Sequence, residues 1–183
     1  MMMSNQVYQI EYYRFSSSDS ILFDANVWLY IYGPQGESLP RLRSTYHLAL
    51  RKIRGAKIPI FIDVLVLSEF INASARFVYN DLPQGIKPQD FKTFRQSNEF
   101  NPIASQIAKD ARRILKKCER IDSGFESADL GGILSGYAVG DVDFNDQILA
   151  ELCKAKNLKL VTHDADFKGE DLTVITANRK FFN

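Results

Sequence analysis

Residues 141–167 read DVDFNDQILAELCKAKNLKLVTHDADF, a helix and then a strand, with carboxylates at the start of the first and just past the end of the second. Asp143 is a natural N-cap, which makes Asp146 the third helical residue. A carboxylate there suits the unpaired N–H groups and the positive end of the helix dipole. Ile148, Leu149, Leu152 and Cys153 recur at helical spacing and give one apolar face, and Asn157 fits the C′ position that ends the helix. Residues 158–162 form a short β-rich run that ends in His163, Asp164, Ala165 and Asp166. In a parallel α/β sheet, groups past the carboxyl ends of the strands line the crevice where ligands bind. The plainer role for the same acids is local: Asp143 and Asp146 cap a helix and Asp164 starts a turn.

A second strand–acid junction lies near the N-terminus. Ile21-Leu22-Phe23 is fully apolar, as a buried central strand requires, and Asp24 follows at once. An acid behind a buried strand is costly unless it is paired, capping or metal-bound. Asn26 is the better placed cap for a helix over residues 27–32, so Asp24 wants another partner. Residues 58–62 read as the next strand, and Asp63 caps a helix running to about Tyr79. Its opening turns, VLVLSEFI, are apolar all round except at Ser68 and Glu69, which places Glu69 on or beside a buried face, or on the one wet stripe of that helix. Residues 172–176 are a last strand. Alternating β and α elements predict a three-layer α/β/α sandwich with a mainly parallel central sheet.

The remaining segments frame this core. Residues 1–20 carry a weak period-2 hint and then a serine-rich linker, and read as a tail or an edge strand, the tail being favoured. Residues 21–183 read as one domain. Residues 33–36, GPQG, form a turn. Residues 41–54 form an amphipathic helix on Leu42, Tyr46, Ala49, Leu50 and Ile53, closed by Gly55, with Arg51, Lys52 and Arg54 on its other side. Residues 81–101 look like a long connection or a small insertion, and Asn101-Pro102 starts another helix with Ile103, Ile107, Ala111, Ile114, Leu115 and Cys118 on its apolar side. The whole of 81–120 looks lengthened, and Lys109, Arg112, Arg113, Lys116, Lys117 and Arg120 make its second half basic. From Ile121 to Cys153 no basic residue occurs, and Gly131, Gly132 and Gly136 loosen that stretch. Residues 179–183 read as a tail.

A net charge of +1 gives the chain no bulk attraction for nucleic acid, so any such attraction is local. Two cysteines are too few for a disulfide framework and lack zinc-site spacing, which points to a reducing, cytoplasmic setting. No signal-peptide pattern and no apolar run of ~20 residues is expected to engage a membrane.

If the strands ending at Asp24 and Asp164 are neighbours, four carboxylates converge: Asp24, Glu69, Asp146 and Asp164. They could not all stay ionised without a cation, and oxygen ligands without His or Cys select Mg²⁺ or Mn²⁺. Such a cluster suits phosphodiester displacement. Phe23-Asp24-Ala25-Asn26-Val27, Leu67-Ser68-Glu69-Phe70, Asp143-Phe144-Asn145-Asp146 and Val161-Thr162-His163-Asp164 resemble, in order, the successive motifs of the PIN domain family, best known from VapC-type toxins of toxin–antitoxin pairs. The resemblance implies a Mg²⁺/Mn²⁺-dependent ribonuclease with Asp24, Glu69, Asp146 and Asp164 as its acidic quartet. Asn26 and Thr162 would be polar supports, and Asp143 and Asp166 extra acids. It also implies RNA as substrate and brings two protein partners into view, an antitoxin and a second copy of the chain. RNA is a polyanion and needs basic contacts, for which Arg112, Arg113, Lys116 and Lys117 are the chosen candidates. A PIN-like module that binds RNA or protein without cutting is the alternative. Haloacid-dehalogenase-like phosphatases need a second Asp where Asn26 stands, a receiver domain leaves Glu69 without a role, and no GxxxxGK[ST] or GxGxxG occurs.

Overall fold

The computed structural model describes residues 6–140 and 143–182; Asp141 lies outside them. Among the described residues, six strands form one parallel sheet in the order β1-β6-β5-β2-β3-β4. The central strand β2 (Ile21–Phe23) is fully buried, and a strand covered on both faces can be apolar throughout. On one side it pairs with β3 (Ile60–Ile62), which pairs in turn with β4 (Glu119–Arg120). On the other it pairs with β5 (Lys159–Val161), so that Phe23 faces Val161, and β5 pairs with β6 (Thr173–Thr176). From β2 the chain therefore moves outward to β3 and β4, returns at β5, and moves outward the other way. The β2–β5 junction is the switch point, and in such sheets the crevice opens at the carboxyl ends of that pair.

Among the described residues, eight α-helices complete the three layers. Helix α1 (Ala25–Ile31) follows β2, α2 (Gln35–Ser38) and α3 (Pro40–Gly55) lead to β3, and α4 (Val64–Asp81) leaves β3 under the Asp63 cap, whose side chain accepts from the Val66 N–H. Helices α5 (Phe91–Gln96) and α6 (Phe100–Leu115) lead to β4, and α7 (Leu130–Ala138) and α8 (Phe144–Lys156) lead to β5. Trp28, Tyr46, Phe23, Phe70, Phe94 and Phe167 are among the largest fully buried side chains. Each such burial is worth about 1.5–3 kcal/mol. Helix α8 ends as its sequence suggests, with Asn157 in the left-handed region at φ 51°. No helix among the described residues is long and apolar enough to cross a membrane, and both cysteines are free thiols.

Several local readings are corrected. The N-terminal segment is an edge strand rather than a tail: β1 (Gln6–Gln9) pairs in parallel with β6. It is held by backbone bonds with little side-chain burial, so it leaves almost no alternation in the sequence. The linker behind it is anchored, because Lys159 Nζ donates to Asp19 Oδ1 at 2.7 Å and to the Tyr13 hydroxyl at 2.6 Å. Residues 33–36 hold the start of α2, and Gly36 is needed there because a side chain would run into the Tyr30 carbonyl. The 81–101 connection contains α5, capped by Asp90 and packed through Phe91 and Phe94 on Tyr79, contacts a six-residue helix is too short to advertise by periodicity. Helix α6 starts at Phe100 rather than at the Asn101-Pro102 cap and ends at Leu115, so Cys118 is beyond it and Arg120 belongs to β4. The glycines before α8 lie in α7, capped by Asp129 accepting from Gly132 N–H at 3.0 Å. Residues 179–182 form a 3₁₀ turn that buries Phe181 instead of a free tail.

Candidate functional site

Phe23 and Val161 end their strands side by side, and Asp24 N–H donates to the Val161 carbonyl at 3.0 Å. This register delivers Asp24 and the Thr162-His163-Asp164 turn to one place. Asp24 occupies the N-cap position of α1, the position assigned above to Asn26, yet its side chain makes no cap bond. Asn26 is instead the second helical residue and reaches back across the junction. Its Nδ2 donates to Asp24 Oδ2 at 2.5 Å and to Thr162 Oγ at 3.1 Å, and its Oδ1 accepts from His163 N–H at 3.1 Å. Thr162, fully buried, donates its hydroxyl to Asp24 Oδ2 at 2.6 Å and accepts from Asp164 N–H at 2.9 Å. Asp24 is thus a buried carboxyl held by two donors. Burial drives its pKa up to about 6, the Thr162 hydrogen bond opposing and the charge of Asp164 adding to the rise.

The other acids arrive from helix starts and a turn. Asp143 caps α8, accepting from Asn145 N–H at 2.8 Å, and places Asp146 in the first turn. Asp164 caps the 3₁₀ turn at Ala165–Phe167, accepting from Asp166 N–H at 3.1 Å. Ligand oxygens of Asp146, Asp164 and Asp166 all lie within 4.8 Å of one another. That is near the ~4 Å span of opposite ligands on an octahedral ion with bonds of ~2.1 Å. Glu69 comes in from α4. It is exposed as a residue, but desolvation of its carboxyl and then the charges of Asp24, Asp143 and Asp164 raise its pKa to about 7. Desolvation, followed by Asp24, Asp143, Asp164 and Glu69, likewise raises Asp146 to about 7. Among the described residues, none of these acids forms an ion pair with Lys or Arg, and neither Glu69 nor Asp146 has a side-chain hydrogen bond. A crowded set of carboxyls with no internal cation fits a divalent ion, and the all-oxygen set fits Mg²⁺ or Mn²⁺ over zinc.

The caps and the converging acids therefore coexist: Asp143 and Asp164 do both jobs. The structure brings Asp24, Asn26, Glu69, Asp143, Asp146, Thr162, Asp164 and Asp166 to the β2–β5 junction. The basic quartet is elsewhere. Helix α6 runs into β4, whose parallel direction puts its start at the edge of the sheet opposite the acids, and α3 enters β3 in the same way. Lys117 has its pKa lowered by desolvation and by the charges of Arg54 and Arg113, so the ends of the two helices share one basic patch. Arg113 is paired with Asp110 at 2.8 Å and lies over the Tyr32 ring at 4.5 Å, and Lys117 lies over the same ring at 5.6 Å. Arg112 and Lys116 are exposed.

Two supports escaped the sequence reading. Tyr46, buried on α3, sets its hydroxyl 2.9 Å from His163 Nδ1 and 3.2 Å from the Thr162 carbonyl, and accepts from Ala177 N–H at 3.1 Å. Asn178 Nδ2 donates to the His163 carbonyl at 2.6 Å. A tyrosine on an apolar helix face is a signal of sorts, because its hydroxyl must find a partner when buried.

An all-parallel α/β sheet with clustered acids at its switch point defines a class, and sequence comparison gives the family. A PIN domain model matches residues 21–172, and the chain belongs to the PIN domain family. Among solved structures it is similar to VapBC2 from Rickettsia felis bound to a DNA fragment from their promoter, with 18% identity and a TM-score of 0.52 over 85% of this chain and 97% of that one. PAE2754 from Pyrobaculum aerophilum is similar at 14% identity and a TM-score of 0.49 over 93% of this chain and 92% of that one. No match was found among curated protein sequences.

Proposed function

We propose that this PIN domain is a ribonuclease that hydrolyses RNA phosphodiester bonds with Mg²⁺ or Mn²⁺. The observation that carries this reading is the set of carboxyls at the switch point, unpaired by any basic residue among those described and with three of them in ion-binding geometry. Asp146, Asp164 and Asp166 would hold the ion, with Asp24 and Glu69 completing the acidic set. A divalent cation bound there supplies Lewis-acid polarisation of a phosphoryl oxygen and a lowered pKa for water. The protein's own part is positional. Asn26 and Thr162 fix Asp24 and the Asp164 turn, and Asp143 fixes the first turn of α8. Glu69 adds a carboxyl from α4 outside the tight trio, one that desolvation and the charges of Asp24, Asp143 and Asp164 push toward its protonated form unless a cation offsets them.

The test is cleavage of a generic single-stranded RNA. Activity should require Mg²⁺ or Mn²⁺, vanish with EDTA, return on adding the ion, and be lost in Asp24→Asn. Full activity in EDTA would sink the mechanism. A folded protein that binds RNA but never cuts it is the silent binding module instead. The VapC resemblance extends the proposal to a cytoplasmic toxin with an antitoxin and a second copy of the chain as partners. Co-purification with the product of a neighbouring small gene, and the solution mass, test those two partners.

The patch of Arg54, Arg112, Arg113, Lys116 and Lys117 is proposed as a remote contact for long RNA. Phosphate contacts are independent of sequence and sensitive to salt. Reversing the exposed Arg112 and Lys116 to Glu should weaken binding of long RNA and reduce its log–log salt slope by roughly 1–1.5, at ~0.7 per contact. Cleavage of a trinucleotide should be unchanged. An unchanged salt slope would mean that the face is only solvated.

A further inference from the structure

Residues from the end of α7 share a cleft with the acids. Tyr137, Val139 and Gly140 form one side, and Asp143, Asp146, Gln147 and Asp166 the other. Tyr137 is 57% exposed and Val139 70% exposed. The Tyr137 side chain has no ring or hydrogen-bond partner among the described residues. Helix α7 buries only Ile133 and packs on α8, so it presents this ring at the cleft mouth and does not use it to hold the fold. Among the described residues no Lys or Arg lines this cleft, so no basic side chain of its lining is there to hold a phosphate. Beyond the phosphate that an ion at these acids would hold, the neutral, planar nucleobase is the part of a strand that an exposed tyrosine can hold.

We infer that Tyr137 is a stacking platform for the unpaired base adjoining the scissile phosphate. This rests on the ribonuclease reading. A base in the stack of a duplex is not free to lie on a ring, so paired RNA should be a poor substrate. Stacking accepts any base through its π-face, so the preference set here is for an unpaired nucleotide and not for a sequence.

The test uses a short single-stranded oligoribonucleotide carrying 2-aminopurine, titrated with the whole chain in Ca²⁺ and then assayed for cleavage in Mg²⁺ or Mn²⁺. Moving the 2-aminopurine along the strand should locate one position that is quenched by the wild type and by Tyr137→Phe and stays bright with Tyr137→Ala. Tyr137→Ala should bind about 5- to 150-fold more weakly, the size of one base–aromatic stack, and Tyr137→Phe within about twofold of wild type. An abasic nucleotide at the quenched position should cost the wild type the same factor and Tyr137→Ala nothing. Equal quenching and affinity in Tyr137→Ala overturns the platform and leaves the ribonuclease reading standing. Quenching without cleavage in any divalent ion overturns the ribonuclease reading and leaves the platform. No binding at all overturns both. A change in solution mass as the only effect of Tyr137→Ala assigns the ring to protein contact and overturns the proposal.

Discussion

Asp146→Asn should give a folded protein whose RNA cleavage falls by about 10²–10⁴-fold, since an ion held in place contributes several kcal/mol to such a reaction. Its melting temperature in EDTA at pH 8 should at the same time stay level or rise. Asp146 makes no side-chain hydrogen bond among the described residues, so the amide removes a charge and no structural contact. Its pKa is raised to about 7 by desolvation first and by Asp24, Asp143, Asp164 and Glu69 next. Between the ordinary carboxyl range, near 4, and about 7, the folded state therefore holds a proton that the unfolded chain has released. Stability consequently falls as pH rises through that window. The variant lacks this loss, so its advantage should be full at pH 8, smaller at pH 5 and gone below about pH 4. Each 1 kcal/mol relieved is worth roughly 2–4 °C for a chain of this size. Mg²⁺ should then stabilise the wild type more than the variant. A clear fall in melting temperature at pH 8 would show that this carboxylate holds the fold.

Most of what positions these acids was legible in the sequence, for reasons that differ by element. Ile21-Leu22-Phe23 is a short apolar run, which a sheet covered on both faces accommodates, and residues 158–162 are a short β-rich run, which places Asp24 and Asp164 just past the ends of strands. Whether those strands are neighbours is a matter of topology, and the β2–β5 pairing supplies it. Cap chemistry was readable at Asp63, Asp143 and Asn157 because it is local. It misled at Asn26, since the residue that best suits a cap by type was recruited by Asp24 and Thr162 from 2 and 136 residues away in sequence. The basic face of α6 was visible as composition, but its distance from the acids follows from the direction of β4, a two-residue strand that no periodicity reveals. Tyr46 and Asn178 act through single hydrogen bonds across the fold, and nothing in their neighbours marks them. The trio of Asp146, Asp164 and Asp166 shows the same limit: the 3₁₀ turn after Asp164 brings Asp166 beside it, while Asp24 stays in the protein on its two donors.

Thr162→Val should be the most damaging change of similar size at the site. The swap conserves volume and removes one hydroxyl that is both donor and acceptor, so three groups lose a partner: Asp24 Oδ2, bonded at 2.6 Å, Asp164 N–H, bonded at 2.9 Å, and Asn26 Nδ2, bonded at 3.1 Å. Asn26 remains on Asp24, but a buried carboxylate stripped of a donor costs about 1–3 kcal/mol, more when it is ionised. At roughly 2–4 °C per kcal/mol, a fall in melting temperature of about 2–12 °C is expected near neutral pH. The pH dependence separates this from a packing defect. Asp24 has its pKa raised to about 6 by burial, and the Thr162 hydrogen bond is the largest influence acting against that rise. Without it the folded-state pKa moves further up, and the window over which stability is lost with rising pH extends upward. The gap between variant and wild type should therefore be small at pH 5, where Asp24 is largely protonated in both, and largest at pH 8. Thr162→Ser, which keeps the hydroxyl, should restore most of the pH 8 stability and of the metal-dependent cleavage. A gap that is constant from pH 5 to pH 8, or a serine variant no better than valine, would show that Thr162 acts by packing and that Asp24 does not depend on its hydroxyl.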